Sequence, residues 1–259
     1  MRGLSKQYDA GAGAVVALTD ISFDVRAGEF VSVLGASGSG KSTLLNLIAG
    51  LDSATRGEIR IEGHPVSGPG PDRGVVFQRD CLFPWLSVRQ NVEFAGTLAC
   101  HRRGAPLSSQ RDTAERVDAL LAAVGLEAFA NHHPRQLSGG MRQRAAIARA
   151  LLHQPRMLLM DEPFGALDAQ TREQMQMLLM GLCRAAQTTV LFVTHDVEEA
   201  TFLSSRVLVL TSHPGSIAAD VPVGLGVARA PELKLDPAFS AVRGRLMSAL
   251  SAARGRRAA

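Results

Sequence analysis

The sequence Gly35-Ala36-Ser37-Gly38-Ser39-Gly40-Lys41-Ser42-Thr43 fits the phosphate-binding loop pattern Gly-x4-Gly-Lys-[Ser/Thr]. Glycines let the backbone curl until consecutive N–H groups point at phosphate oxygens. Lys41 supplies a positive charge for the β- and γ-phosphates, and the Ser42 hydroxyl is a ligand for Mg²⁺. The stretch therefore predicts a site for a polyphosphate and a magnesium ion.

The residues on either side of the loop agree with this interpretation. Residues 30–34 read as a buried strand that enters the loop, and residues 43–50 read as a helix that leaves it and stops at Gly50. The N-terminus of that helix adds a partial positive charge beneath the phosphates. The alternative, a glycine-rich turn that matches by chance, does not explain the strand and the helix.

Composition sets the broad class of the protein. The chain has 259 residues, of which 46% are hydrophobic and 20% charged, which is enough for a core. No apolar run approaches the roughly 18 residues that a membrane-spanning helix needs, so we expect the chain in the cytosol unless a partner tethers it. The formal charge of +4 fits a nucleic-acid or membrane partner and an arginine-rich nucleotide binder equally well. We interpret Cys81, Cys100 and Cys183 as reduced, mostly buried thiols.

The order of predicted elements indicates an α/β fold. Alternating patterns predict half-buried strands at 17–25 and 57–63. Continuous apolar runs that alternate with helices predict a parallel sheet with both faces covered. Those runs are at 30–34, 74–77, 157–160, 189–193 and 207–210.

Two other segments have a different character. Residues 81–153 lack β-branched runs and carry helical patterns, so they predict a helical insertion in the α/β domain. From 236 to 257 an amphipathic helix is possible, with Phe239, Val242, Leu246 and Leu250 on its apolar face and arginines for acidic lipid. We favour a solvated basic tail for this segment.

Polar residues follow four of the predicted strands. The run at 30–34 delivers the phosphate loop, and the others deliver Gln78, the pair Asp161 and Glu162, and His195. Ligands of open α/β sheets bind at the carboxyl ends of strands. We expect Asp161 to hold Mg²⁺ with Ser42 and Glu162 to accept a proton from the attacking water. His195 could contact the γ-phosphate, although a lone histidine at a strand end is as often structural.

A second anion site is predicted at Leu137-Ser138-Gly139-Gly140-Met141. Ser138 can cap a helix over residues 141–152, which leaves the amides of Gly139 and Gly140 free at its N-terminus. By itself the segment would be interpreted as a simple capped helix. Two such helix starts, about 100 residues apart in the sequence, require one ligand that touches both or two ligands.

Together these residues resemble the ATP-binding subunits of ABC transporters, from about Leu4 to Ser248. The motifs stand in the family's order: the phosphate loop at 35–43, the glutamine loop at Gln78, the signature at 137–141, Asp161 with Glu162, the loop at 165–168 and the switch His195. Tyr8 stands near the place of an aromatic residue that stacks on adenine. Met141 replaces the usual glutamine of the signature.

The resemblance implies a phosphate-loop (RecA-like) ABC ATPase core with an antiparallel β subdomain and an inserted helical subdomain. It places the core and β subdomain at 1–80 and 154–225, the helical subdomain at 81–153 and a helical C-terminal tail at 226–259. Since the family's first strand normally precedes the segment Leu4 to Tyr8, we expect that strand to be truncated, and a start codon upstream would account for it.

The resemblance also implies a mechanism and partners. Two copies hold two ATP molecules head to tail, with the phosphate loop of one copy facing Ser138, Gly139 and Gly140 of the other. Mg²⁺ is held by Ser42 and Asp161 with Gln78 nearby; Glu162 and His195 act on the water and the γ-phosphate. A membrane permease docks on the helical subdomain near Trp85, for which a core position is the alternative. A solute-binding protein acts indirectly, no nucleic acid is expected, and the place is the cytoplasmic face of the bacterial inner membrane.

A narrower resemblance is carried by Gly68-Pro69-Gly70-Pro71-Asp72-Arg73, by Leu82-Phe83-Pro84-Trp85 and by the residues from Asp161 to Arg172. These phrases are similar to the nitrate, sulfonate and taurine importer branch, and most similar to its taurine ATPases. Three alternatives stay open: an ABC ATPase that is not coupled to transport, a non-catalytic nucleotide-binding module, and a small-molecule kinase.

Overall fold

The computed structural model describes residues 1–10, 13–99, 110–226 and 229–255, which divide into two compact units. Unit 1 comprises Met1–Gly70, Leu159–Glu162 and Thr189–Ala259, and unit 2 comprises Pro71–Leu158 and Pro163–Thr188. The two units are described separately below.

A sheet of buried apolar strands forms the centre of unit 1. Its neighbouring strands are β11 (Ile217–Pro222), β10 (Arg206–Leu210), β3 (Phe30–Leu34), β9 (Thr189–Thr194) and β8 (Met157–Asp161), the first two residues of β8 belonging to unit 2. Strand β3 runs parallel to both neighbours, β9 and β10, whereas β11 is antiparallel to β10. The predicted strands in this sheet are confirmed. The carboxyl ends of β3, β8 and β9 lead to the phosphate loop, to Asp161 with Glu162, and to His195.

An antiparallel sheet completes the β structure of unit 1. It consists of β2 (Gly13–Ile21), β1 (Arg2–Ala10) and β4 (Arg56–Glu58) in that order, and β5 (Arg60–Ile61) pairs separately with β6 (His64–Pro65). The antiparallel β subdomain is thereby confirmed.

Three details of the sequence interpretation were wrong in this region. The strand expected at 17–25 is β2, which begins at Gly13 and ends at Ile21. Strand β1 runs through the segment from Leu4 to Tyr8 rather than ending before it, because Leu4 is buried opposite Ile21. The single strand expected at 57–63 is broken at Ile59, whose carbonyl accepts a hydrogen bond from the N–H of Val66, next to β6.

Unit 1 contains the helices α1 (Lys41–Ala49), α6 (Val197–Leu203) and α7 (Pro237–Gly255). A short 3-10 helix at Pro231–Leu235 precedes α7. Helix α7 corrects the sequence analysis, which favoured a solvated basic tail for this segment. The apolar side chains Phe239, Val242, Leu246 and Leu250 are buried, and Val242, Leu246 and Leu250 join one core cluster with Val207 and Val209. The helical spacing of these four residues predicts one apolar face, and strand β10 covers it.

Unit 2 is mainly helical. It contains β7 (Arg73–Val76), α2 (Val88–Ala99), α3 (Gln110–Ala123), α4 (Gly139–Leu151), α5 (Ala169–Ala185) and two 3-10 turns at Glu127–Phe129 and Pro134–Gln136. Its core includes Val117, Leu121 and Val124 at the predicted helical spacing. Met141 of the signature packs against the same cluster, which accounts for an apolar residue at this position.

Trp85 and the cysteines complete the comparison with the sequence. The core interpretation of Trp85 was wrong, because the side chain is 69% exposed. Cys183 is buried, and burial raises the pKa of its thiol to about 12, whereas Cys81 is exposed against our expectation. Cys100 lies outside the described residues. Among the helices of the described ranges, none has the length and apolar character needed to cross a membrane.

The burial of α7 leads to a stability prediction. Leu246→Ala is expected to lower the free energy of unfolding by about 2–5 kcal/mol, because Leu246 is fully buried and the change leaves a cavity. The matched control is Met247→Ala, since Met247 is the next residue of the helix and is 57% exposed. Chemical denaturation measures the free energy of unfolding of both variants. Equal, small losses would contradict the packing of α7 on the rest of unit 1.

Candidate functional site

The phosphate loop connects β3 to α1 and depends on two left-handed glycines. Gly38 has φ +78° and Gly40, the residue before α1, has φ +83°. A Cβ atom on Gly40 would lie 2.6 Å from Cδ2 of Leu18 and 2.9 Å from the carbonyl oxygen of Ala17. Within the loop, the N–H of Ser39 donates to the carbonyl of Ala36 at 3.2 Å. The curl that the motif predicts is therefore present, and β2 packs against it.

Lys41 is held inside this loop. Its Nζ donates to the carbonyl oxygens of Gly35 and Ala36, each at 2.9 Å, and lies 3.5 Å from Oε1 of Glu162. The side chain is only 5% exposed. A buried ammonium needs acceptors on several sides, and these three groups provide them. Phosphate oxygens would be further acceptors of the same kind.

Glu162 and His195 are brought together by the ends of two strands. The N–H of Glu162, which follows β8, donates to the carbonyl of Val193 in β9 at 2.9 Å. Glu162 adopts a left-handed backbone with φ +42°, and its Oε2 lies 2.9 Å from Nδ1 of His195. The carboxylate therefore lies between one cation and one imidazole, as a group that takes up or directs a proton would.

A buried hydrogen-bond network fixes the chain around His195. Oγ1 of Thr194 donates to Oε2 of Glu199 at 2.7 Å, and both residues are buried. The N–H of Asp196 donates to Oγ1 of Thr194 at 3.0 Å. Asp196 in turn caps α6 by accepting from the N–H of Glu198 at 2.7 Å. The backbone before and after His195 is thus held while the imidazole itself is exposed.

Asp161 and Ser42 form the part of the site that fits a magnesium ion. The Ser42 hydroxyl lies beside the Asp161 carboxylate, whose Oδ1 is buried and has no hydrogen-bond partner among the described residues. Burial raises the pKa of Asp161, and the neighbouring Glu162 carboxylate raises it further. A divalent cation would satisfy the unpaired oxygen and relieve that repulsion. Hydroxyl and carboxylate oxygens are ligands that Mg²⁺ prefers.

The described residues hold no group of three or more His, Cys, Asp or Glu side chains that could bind a metal ion. A magnesium site built from Ser42 and Asp161 therefore needs oxygens from the bound phosphates, which is the usual arrangement in phosphate-transfer sites. The orphaned Oγ of Ser39, which is also buried without a described partner, is a further polar atom of the loop.

Tyr8 lies closer to the loop than its distance in sequence indicates. Its phenol donates to Oδ2 of Asp52 at 2.9 Å, and the side chain of Thr43, in the first turn of α1, lies near the phenol. The ring is 40% exposed. The long spacing between Tyr8 and Lys41 thus does not prevent the aromatic ring from standing beside α1.

The remaining predicted site residues lie in unit 2. Gln78 is exposed and follows β7 by two residues. Ser138 caps α4, because its Oγ accepts from the N–H of Met141 at 3.3 Å. A Cβ on Gly140 would lie 2.5 Å from Cγ2 of Thr171, so helix α5 requires a glycine there. The capped helix start is as predicted; the roles of these residues stay predictions.

The sequence analysis missed the turn that follows β10. A Cβ on Gly38 would lie 3.1 Å from Cε1 of His213, and one on Gly215 would lie 2.2 Å from the carbonyl oxygen of Ser39. The N–H of Gly215 also donates to the carbonyl of Ala17 at 3.0 Å. The sequence could have indicated this turn, because the polar residues within 211–216 follow a buried strand, and ligands of open α/β sheets bind at such strand ends.

Comparison with known proteins agrees with this geometry. The model of the family described as ABC transporter matches residues 18–165. The chain belongs to the ABC transporter family. As an ABC ATPase it binds ATP and hydrolyses it.

Curated relatives of this ABC ATPase are similar over most of their length. The nitrate import ATP-binding protein NrtD of Synechocystis sp. is 51% identical over 222 residues, which cover 86% of this chain and 81% of the relative. The taurine import ATP-binding protein TauB of Jannaschia sp. is 44% identical over 248 residues, 94% of this chain and 90% of the relative.

Solved structures confirm the ABC ATPase fold. The dimeric structure of MJ0796, a bacterial ABC transporter cassette, superposes with a TM-score of 0.75 at 38% identity and covers 86% of this chain and 97% of that chain. A post-hydrolysis dimer of the same cassette with ADP and Pi gives a TM-score of 0.74 at 37% identity, with the same coverage.

The packing of the phosphate loop leads to a second prediction. Gly40→Ala is expected to abolish ATP binding and to destabilise unit 1, because the new methyl group would collide with Leu18. Gly63→Ala is the matched control, since Gly63 has φ +81° but no atom within 4 Å of its Cβ position. The control variant loses only the stability that a non-glycine residue costs in the left-handed backbone conformation, about 1–2 kcal/mol.

Calorimetric titration with ATP and chemical denaturation measure the two effects. If both variants bind ATP equally well and lose the same stability, the close contact of Gly40 with β2 does not shape the loop.

Proposed function

We propose that this ABC ATPase is the energy-supplying subunit of an importer for a small anionic solute. The convergence, in unit 1, of Lys41, Asp161, Glu162 and His195 supports the ATPase part of this proposal, and the similarity to nitrate and taurine import proteins supports the importer part. Each of the four side chains has the chemistry that ATP hydrolysis needs, and the loop beside them fits a chain of phosphates.

In this proposal the loop residues 35–43 bind the phosphates through their amides, and Lys41 neutralises the β- and γ-phosphate charge. Ser42 and Asp161 would hold Mg²⁺, which when bound screens the charge of the phosphate oxygens. We assign Gln78 to the same ion and to the attacking water on the resemblance alone. The adenine base stacks on Tyr8.

The chemical step requires only a water molecule as second reactant. Glu162 takes a proton from the water while the water oxygen forms a bond to the γ-phosphorus. The bond from that phosphorus to the oxygen bridging the β-phosphate breaks, so that ADP and inorganic phosphate leave. His195, held against Glu162 at 2.9 Å, is positioned to donate a hydrogen bond to the γ-phosphate.

We propose that a second copy of this chain completes the site. Ser138, Gly139 and Gly140 at the start of α4 offer a capped helix N-terminus, which favours an anion. In a head-to-tail dimer this helix start faces the γ-phosphate held by the other copy. The dimeric cassette structures, one with ADP and Pi, support this arrangement.

The same proposal places the permease on the helical segment. We assign 1–80 and 154–225 to the ATPase core with its β subdomain, 81–153 to a helical subdomain and 226–259 to a C-terminal helical segment. Trp85 is exposed and stacks near Phe83, with ring centroids 5.4 Å apart, which suits an anchor for a permease helix. The complex would sit on the cytoplasmic face of the bacterial inner membrane, receive solute from a binding protein and bind no nucleic acid.

For the solute we propose a small sulfonate such as taurine, with nitrate or an alkanesulfonate as the second candidate. The similarity to a taurine import protein over 94% of this chain supports the first. The higher identity of 51% to a nitrate import protein favours nitrate. Nitrate is a small monovalent oxyanion and taurine carries a sulfonate group, so both candidates present a small oxyanion for recognition.

The proposed base can be tested by Glu162→Gln. The amide cannot accept the proton, so we expect ATP turnover to fall by about 10²–10⁴-fold while ATP still binds. Glu232→Gln, which changes an exposed glutamate of the 3-10 helix, is the control and should keep full activity. Phosphate release and calorimetric titration measure the two quantities. Turnover by Glu162→Gln at the level of the wild type would disprove the assignment.

The solute can be tested with the chain assembled with its own permease and binding protein. We expect taurine-loaded binding protein to stimulate ATP turnover several-fold, since solute binding favours the hydrolysing state. Stimulation by nitrate alone would establish the second candidate. If taurine, an alkanesulfonate and nitrate all fail to stimulate ATP turnover, the proposed import of a small oxyanion is overturned.

A further inference from the structure

A cluster of three charged and aromatic residues lies beside the phosphate loop. Lys6 and Tyr8 are on the same face of β1, and Asp52 follows α1 by three residues. Nζ of Lys6 donates to Oδ1 of Asp52 at 2.6 Å, and the phenol of Tyr8 donates to Oδ2 at 2.9 Å. One carboxylate therefore holds both side chains, with one oxygen for each.

Lys6 also covers one face of the tyrosine ring. Its Nζ lies 4.7 Å from the ring centroid, within the distance of a cation–π contact. The same Nζ donates to the carbonyl of Ser53 at 2.8 Å, so two acceptors, this carbonyl and the Asp52 carboxylate, hold the ammonium. Tyr8 is nevertheless 40% exposed, which leaves surface for a ligand to contact.

The phenol lies close to the phosphate loop as well. Its hydrogen bond to Asp52 joins β1 to the segment that follows α1, and the side chain of Thr43, in the first turn of α1, lies near the same hydroxyl. The bond to Asp52 therefore sets the position of the ring beside the helix that follows the phosphate loop.

We propose that Asp52 and Lys6 are positioning residues that make Tyr8 a one-faced platform for the purine base of the nucleotide. The inference rests on the proposed function and extends it to how the base is selected. Lys6 blocks one face of the ring, so the base stacks only on the other. Asp52 prevents the ring from turning away from the phosphate loop.

The test compares two ligands in calorimetric titration, ATP and inorganic tripolyphosphate, each with Mg²⁺. Asp52→Ala is expected to weaken ATP binding about three- to tenfold and to leave tripolyphosphate binding unchanged, because only the base contact is lost. Tyr8→Ala should abolish the preference for ATP over tripolyphosphate, since stacking of a base on an aromatic ring accounts for about tenfold or more in affinity. Asp9→Asn, on the same strand and exposed, is the control and should match the wild type.

Asp52→Asn separates the two bonds of the carboxylate. Its amide oxygen still accepts from the phenol, so ATP affinity should fall between those of the wild type and Asp52→Ala. An ATP affinity no better than that of Asp52→Ala would overturn the phenol hydrogen bond as the holding contact. If Asp52→Ala weakens ATP and tripolyphosphate in parallel, its role is structural and the platform is disproved. Wild-type protein that binds neither ligand would instead contradict the proposed function.

Tyr8 provides a second readout because it is the only tyrosine of the chain. Burial raises the pKa of its phenol, and the hydrogen bond to Asp52 raises it further. Titration followed by the ultraviolet absorbance of tyrosinate should therefore show a lower pKa in Asp52→Ala than in the wild type. An unchanged pKa would show that Asp52 does not hold the phenol in solution, and the inference would fail.

Discussion

The buried ammonium of Lys41 is the constraint on which the site depends. A charge that is almost fully removed from water must be surrounded by acceptors, and here the carbonyls of Gly35 and Ala36 and the carboxylate of Glu162 surround it. The loop must curl to present those carbonyls, which explains the left-handed Gly40. Glu162 must turn inward at the end of β8, which explains its left-handed backbone. The phosphate loop and the proposed base are thus parts of one electrostatic unit.

The same electrostatics explain why ATP fits this site. Asp161 and Glu162 are adjacent carboxylates, one of them with a buried, unpaired oxygen, and they leave local negative charge that Lys41 only partly balances. A magnesium ion bound with the phosphates would balance both the carboxylates and the phosphates. Unit 2 contributes a separate anion-favouring feature, the Ser138-capped start of α4. A head-to-tail dimer provides one phosphate chain with both features without requiring any further group.

Sequence patterns predicted the parts of the fold that follow from local chemistry. The phosphate loop, the buried strands and the capped α4 depend on period, glycine position and a single cap, all of which are visible in the sequence. The burial of α7 was missed because its apolar face is narrow, and only the strand it packs on shows that it is covered. The cluster of Lys6, Tyr8 and Asp52 joins residues 44 or more positions apart, and no local pattern indicates such contacts. The exposure of Trp85 is likewise a tertiary property.

In the proposed dimer, ATP joins the phosphate loop of one copy to Ser138, Gly139 and Gly140 of a second. The most direct test is light scattering of the Glu162→Gln variant, which is expected to bind ATP without consuming it. With ATP and Mg²⁺ we expect a particle of about twice the 27.5 kDa chain mass, and with Ser138→Arg added we expect the single-chain mass despite bound ATP. A single-chain mass for Glu162→Gln alone, at saturating ATP, would contradict the claim.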